Sequence, residues 1–373
     1  MRILILTCNT GGGHNSTAAA LTERFHALGA ACDVMDGLSF ISQKASRFVS
    51  RWHTRLYRRY PKLYKSGYQS AERDEDSHRR DTPVYRYLAR GARRLDRTLK
   101  AGGYDAVVCV HVIPALMMTE VRRLRPEAPV FCFVATDYTC SPTVGACKVD
   151  ICVIPHEDLR QEFVSCGIAP ETILPAGIPV RAVFRQRDDR AAARSALALP
   201  PEGRHIVLMS GSIGCGPMTE LAAELELRLE KGDFASILCG SNRKLLHSLR
   251  MMRLRRVEAV GFTTRVPQYM DSADVLVSKP GGISITEAGT RGVPLLLADM
   301  VGGCETRNQS FFADHGWAAT CDTEDIANAA LELLHQPEKL SSLRAAQTAD
   351  FDGLAAQRVA ESVVSAVEQR QNL

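Results

Sequence analysis

Residues 273–312 read ADVLVSKPGGISITEAGTRGVPLLLADMVGGCETRNQSFF, and their grammar decides the fold. An apolar strand ends in Lys279-Pro280-Gly281-Gly282, a helical pattern follows from Ser284 or Thr286 with Glu287 in its first turn, and a second apolar strand, PLLLA, closes at Ala298. Strand, glycine turn, helix and strand in so short a space describe a crossover between parallel neighbours. Outward from this unit the same alternation recurs. Strand-like runs stand near 2–7, 106–110, 130–134 and 151–154, and again near 205–209, 235–239, 257–260, 274–277 and 294–298. The expected class is α/β, with parallel sheets carrying helices on both faces.

Two such sheets fit the length of 373 residues. The segment PAGIPVRAVFRQ, residues 175–186, has the Pro/Gly content of a linker, so domains of 1–180 and 181–373 are expected. The last helical pattern, LAAQRVAESVVSAVEQR, is compatible with packing on either. No short repeat and no low-complexity tract interrupts the chain.

The net charge of +4 hides an asymmetry. Residues 1–100 carry 19 Lys+Arg against 9 Asp+Glu, a balance of +10, which leaves −6 for the remainder. The twelve cysteines stand singly in apolar runs such as VVCVHV and VFCFVA, without CxxC or Cys/His metal spacing, and read as buried thiols in a reducing compartment. No apolar run approaches the roughly 20 residues of a membrane span, and Met1-Arg2 leads straight into a strand. A cytoplasmic protein is expected.

Each half opens with a strand followed by a glycine-rich turn. The first is CNTGGGHNST, in which Gly11, Gly12 and Gly13 precede His14 at the mouth of a helix; the second is MSGSIGCGPM, with Gly211, Ser212, Gly214 and Gly216. Glycines permit close backbone approach, and the unpaired N–H groups of a helix start attract anions. Neither turn ends in GK[ST], and the strand after the second lacks the acidic residue a nicotinamide site needs. Tight turns with no ligand would also use these glycines. In the 273–312 stretch, a glycine turn and helix start suited to phosphates lie one loop from the carboxylates Glu287 and Glu305, which can accept from sugar hydroxyls. That chemistry suits a nucleotide-sugar.

The order of these segments resembles the diacylglycerol glycosyltransferases, the family of the chloroplast galactolipid and bacterial glucosyl-diacylglycerol synthases, and more distantly the peptidoglycan GlcNAc transferase. The matching segments are GGGHNSTAAAL, YPKLYKSGY, TDYTCSPT, PHEDLRQEFVSCGI with ILPAGIPV, GSIGCG, KPGGISITEAGTRGVPLLL and GGCETRN. The resemblance implies two facing Rossmann-like domains of the GT-B type, acceptor on the first and UDP-sugar on the second, inversion at the anomeric carbon and no metal or other cofactor. It assigns the diphosphate to Gly281, Gly282, Ile283, Ser284 and Ile285, the ribose to Glu287, the sugar to Glu305 and Asn308, and the uracil to Phe262. The family's Pro-Gly-Gln-Glu is Gly302-Gly303-Cys304-Glu305 here, which removes one amide from the sugar loop.

By the same resemblance His14 faces the acceptor hydroxyl. An imidazole with a reference pKa of about 6.5 suits a general base. A phosphate donor role for His14, with Asp137 as the base, stays open. Asp74-Glu75-Asp76 imitates a metal-binding DxD but belongs to a solvated charge run.

Residues 47–68, RFVSRWHTRLYRRYPKLYKSGY, place Arg51, Arg55, Arg58 and Lys62 on one helical stripe and Trp52 beside it. Such a surface fits an anionic membrane, and inward-packed aromatics with a wet arginine face would give the same pattern. Nucleic acid is not expected as a partner. The function expected is hexose transfer from UDP-glucose or UDP-galactose to diacylglycerol at the inner membrane face. The alternatives are a UDP-GlcNAc 2-epimerase-like isomerase, a UDP-GlcNAc transferase to another lipid-linked acceptor, and an idle binding protein.

Overall fold

The computed structural model describes residues 1–8, 12–42, 83–300 and 305–372. They divide into two compact units, Met1–Arg181 with Leu354–Leu373, and Ala182–Gly353. The first crossing falls within the Pro/Gly segment 175–186.

In the first unit β1 (Arg2–Thr7) leads into α1 (Gly12–Ala27) and β2 (Ala31–Asp36). After α2 (Pro83–Gly102) come β3 (Ala106–Cys109), α3 (Val112–Leu124), β4 (Val130–Val134), β5 (Ile151–Val153), α4 (Arg160–Ser165) and β6 (Ile173–Leu174). The strands form one sheet in the order β2-β1-β3-β4-β5-β6, every pair parallel. Strands β1, β3 and β4 are apolar almost throughout because helices cover both faces, and their interiors are buried.

The second unit begins with α5 (Arg190–Ala196) and β7 (His205–Met209), then α6 (Met218–Arg228), β8 (Phe234–Leu238), α7 (Arg243–Met251) and β9 (Val257–Val260). It continues through α8 (Val266–Ser272), β10 (Val275–Ser278), α9 (Gly282–Arg291), β11 (Leu295–Leu297), α10 (Thr306–Asp314), β12 (Ala319–Thr320), α11 (Ile326–Leu334) and α12 (Pro337–Asp350). Its sheet runs β12-β11-β10-β7-β8-β9, again all parallel. The expected α/β class with parallel sheets is borne out.

The chain then returns to the first unit as α13 (Ala355–Gln371). Val359, Ala360, Val363 and Val367 of α13 join Ile3, Ile5, Leu21 and Phe25 in one buried cluster, and Arg358 donates to the Ala176 carbonyl at 2.8 Å. The helix that the sequence left between two domains packs on the sheet formed first.

Strands β2, β6 and β12 carry no signal in the sequence reading. In β2, ACDVMD is partly exposed at a sheet edge, and Asp33 bonds Arg2 and Tyr104 there, so its pattern is polar. The other two are two residues long. The described cysteines are free thiols, with Cys8, Cys109, Cys132, Cys140, Cys147, Cys152, Cys215 and Cys239 buried. Burial pushes the Cys152 thiol up to about 12. Among the described residues, no helix is long and apolar enough to cross a membrane.

Both sheets have the same functional geometry. In the first, β1 lies between β2 and β3; in the second, β7 lies between β8 and β10. The chain winds outward in opposite directions from these strands. Ligands of open α/β sheets bind at such switch points, beyond the carboxyl ends of the strands. The start of α1 after β1 and the glycine turns after β7 and β10 are therefore where a site belongs.

Candidate functional site

At the first switch point α1 starts at Gly12, so Gly12, Gly13 and His14 lie in its first turn. His14 thus sits at the mouth of the helix, within its first turn. Gly11 lies outside the described residues. The helix start is short of carbonyl partners and carries positive potential, which disfavours a protonated imidazole there. Burial lowers the His14 pKa below its ordinary value, while the charge of Asp137 and a hydrogen bond to the Val110 backbone oppose the shift.

Asp137 follows β4 and is partly buried. His14 and Asp137, which the sequence offered as rival bases, are close enough to be coupled electrostatically. Thr136 Oγ1 lies 3.4 Å from His14 Nδ1. The sequence reading missed a neighbour. His111, two residues past β3, stands edge-on to His14, with ring centroids 4.8 Å apart at 72°. Its signal is the one polar residue in the apolar run VVCVHV, residues 107–112.

At the second switch point the turn after β7 is bound tightly to its surroundings. Gly211, Gly214 and Gly216 have φ of 75°, 64° and 86°, which only glycine adopts without strain. Ser210 Oγ donates to the Cys215 carbonyl at 2.7 Å and accepts from its N–H at 2.8 Å. Asn242 donates to the Gly214 carbonyl at 2.7 Å, and the Ser241 N–H to the Ser212 carbonyl at 2.8 Å. A Cβ at Gly214 would sit 2.1 Å from the Cys239 carbonyl oxygen. Close packing against the end of β8 thus accounts for Gly214. The exposed Ser212 and the half-exposed Gly211 form the open side of the turn.

The turn after β10 stands beside it. A Cβ on Gly211 would approach Lys279 Cε to 3.2 Å. Helix α9 starts at Gly282 with Gly281 as its cap, two to four residues before the sequence expectation, because the glycine pair enters the helix without a side chain to place. Glu287 consequently falls in the second turn, 7% exposed. The Gly281 N–H is bonded to the Lys279 carbonyl at 2.9 Å, and the Ile285 N–H to the Gly281 carbonyl at 3.1 Å. Of the five residues expected to meet a diphosphate, the N–H groups of Gly282, Ile283 and Ser284 are those that a helix start leaves without a carbonyl one turn back. This narrows the set.

Glu305, at the cap of α10, forms an ion pair with Lys279, and both are mostly buried. Asn308 is 1% exposed and donates to the Pro280 carbonyl at 2.9 Å, so its amide braces the turn. Phe262 is the opposite case. It follows β9 and is 73% exposed, an aromatic face held in solvent. Arg51, Trp52, Arg55, Arg58 and Lys62, the Asp74-Glu75-Asp76 run and Gly302-Gly303-Cys304 lie outside the described residues.

Residues 14–180 match the family model of monogalactosyldiacylglycerol (MGDG) synthase, and residues 201–349 that of glycosyl transferases group 1. A processive diacylglycerol beta-glucosyltransferase of Bacillus pumilus is 26% identical over 347 residues, covering 92% of this chain and 89% of its own. The chloroplastic monogalactosyldiacylglycerol synthase of Spinacia oleracea is 29% identical over 337 residues, covering 84% of this chain and 62% of its own. Among solved structures, MurG of Acinetobacter baumannii superposes with a TM-score of 0.61 over 98% of this chain and 99% of its own, at 13% identity, a likeness of fold. The resemblance read from the sequence is borne out, and with it the expectation of a sugar-nucleotide-dependent transferase.

Proposed function

Since this chain is similar to the diacylglycerol glycosyltransferases over nine-tenths of its length, we propose that it moves a hexose from UDP-glucose or UDP-galactose to the free hydroxyl of 1,2-diacylglycerol. The products are a monoglycosyl-diacylglycerol and UDP. The observation that carries the reading is the pair His14 and Asp137 at the switch point of the first sheet, an imidazole whose pKa is lowered by burial beside a carboxylate.

A neutral imidazole accepts a proton at physiological pH. The ring is held by the Val110 backbone and by Thr136, whose Oγ1 lies 3.4 Å from Nδ1, and its unprotonated nitrogen takes the proton of the acceptor hydroxyl. The alkoxide oxygen then forms its bond to the anomeric carbon as the bond to the UDP oxygen breaks, so the configuration inverts. Asp137 stabilises the imidazolium electrostatically, a more natural role than that of rival base given its place beside the ring.

The second unit supplies the leaving-group side. The N–H groups of Gly282, Ile283 and Ser284, at the positive end of α9, accept charge developing on the diphosphate without any metal. Glu287 accepts from the ribose hydroxyls, Phe262 stacks on the uracil, and Glu305, oriented by Lys279, meets the sugar. Gly211 and Ser212 border the same phosphates. The basic and aromatic residues Arg51, Trp52, Arg55, Arg58 and Lys62 hold the protein on anionic lipid at the inner face of the cell membrane, where the acceptor is dissolved.

The test is a donor panel. The protein is incubated with UDP-glucose, UDP-galactose and UDP-GlcNAc and with vesicles containing diacylglycerol, with and without anionic lipid. Release of UDP and the lipid products are followed. Glycosyl-diacylglycerol from one of the two hexose donors, faster on anionic vesicles, is expected. Conversion of UDP-GlcNAc without a lipid acceptor would assign an isomerase instead.

A further inference from the structure

We infer that His111 is the positioning residue for His14: its ring, fixed at the start of α3, sets the orientation in which the His14 imidazole meets the acceptor hydroxyl. The inference rests on the reading of His14 as the base and adds a residue to it.

The geometry begins with the backbone. His111 is extended, with φ −153° and ψ 147°, and caps α3 by accepting the Ile113 N–H on Nδ1 at 3.1 Å. That bond pins the ring. It also requires Nδ1 to be unprotonated, so the imidazole is neutral with its proton on Nε2. Helix caps are ordinarily made by Ser, Thr, Asp or Asn, each of which satisfies the same N–H with a smaller side chain. What histidine adds at this cap is a planar ring, and that ring stands 4.8 Å from His14 in an edge-to-face arrangement.

The same corner holds His14 a second time. Val110, the residue before His111, engages His14 through its backbone, and its own N–H is fixed to the Leu6 carbonyl at 3.0 Å, in line with the pairing of Leu6 and Cys109 across β1 and β3. A strand end, a cap and a ring contact thus converge on one imidazole. Because His111 is neutral, it orients His14 without repelling the charge that His14 gains during transfer.

Two substitutions separate the cap from the ring. His111→Asn keeps a cap acceptor and removes the ring; His111→Phe keeps a ring and removes the acceptor. For His111→Asn, kcat should fall about 10- to 100-fold, the scale of a misplaced catalytic group, with the donor KM and the melting temperature close to wild type. For His111→Phe, which keeps an aromatic edge but loses the bond that pins it, the melting temperature should fall and kcat should fall with it, by less than in His111→Asn. In a His14→Ala background, His111→Asn should leave the residual rate unchanged.

Wild-type turnover in His111→Asn would reduce His111 to a cap and overturn the inference. So would an equal proportional loss in the His14→Ala background, which would mean an action independent of His14. If His14→Ala alone retains near-normal turnover, the base assignment itself has failed, and that result is visible in the single variant without reference to His111.

Discussion

Glu287 carries the donor assignment at the scale of single residues. It is the sixth residue of α9, buried, and close behind the N–H groups of Gly282, Ile283 and Ser284. If it accepts from ribose hydroxyls, Glu287→Ala should weaken UDP binding by about 1–3 kcal/mol, the range for a hydrogen bond to a charged group. Calorimetric titration with UDP measures this directly; an unchanged affinity in a folded variant would remove Glu287 from the site. Residue types at this scale were readable, and their geometry was not. Glu305, Asn308 and Phe262 all came from one resemblance, yet Asn308 is spent on the Pro280 carbonyl and Phe262 stands in solvent. The sequence contains no statement of which polar atom is already satisfied. His111 escaped notice for a related reason, since its importance lies in a neighbour 97 positions away in the chain.

At the scale of elements, the glycine turn after β7 combines a structural need with the binding role proposed for it. Gly214 has φ of 64°, and a Cβ there would meet the Cys239 carbonyl at 2.1 Å. Gly214→Ala should therefore cost more than the roughly 1–2 kcal/mol of a left-handed alanine alone, because backbone must also move. Denaturant unfolding should show that loss, accompanied by weaker UDP binding as the turn is displaced. Stability within about 0.5 kcal/mol of wild type would mean that the turn is looser than described. The buried parallel strands were legible because both faces are covered and their apolar runs are uninterrupted. Edge strand β2 was not, since Asp33 and Asp36 break its pattern where solvent allows it. The start of α9 was misplaced for a different reason. Gly281 and Gly282 read as turn residues, and only the fold shows that the helix begins inside them.

At the scale of the whole molecule, each unit places its polar residues at the switch point of a six-stranded sheet, and the two switch points carry different chemistry. The first has an imidazole, a carboxylate and a second imidazole; the second has helix-start N–H groups, a buried carboxylate and an exposed aromatic. The division into two units and the linker between them were legible from Pro/Gly content and strand alternation. The return of α13 to the first unit was not, because its alternation of alanine and valine would serve either sheet.

The central claim is that His14 removes the proton of the acceptor hydroxyl while the donor is held elsewhere. The most direct test measures hexose transfer to diacylglycerol and UDP affinity on the same preparation of His14→Ala. The account predicts turnover lowered by roughly 10²- to 10⁴-fold, the usual contribution of a general base, with UDP affinity close to wild type. Turnover within a few-fold of wild type would contradict it and pass the role to Asp137 or to water.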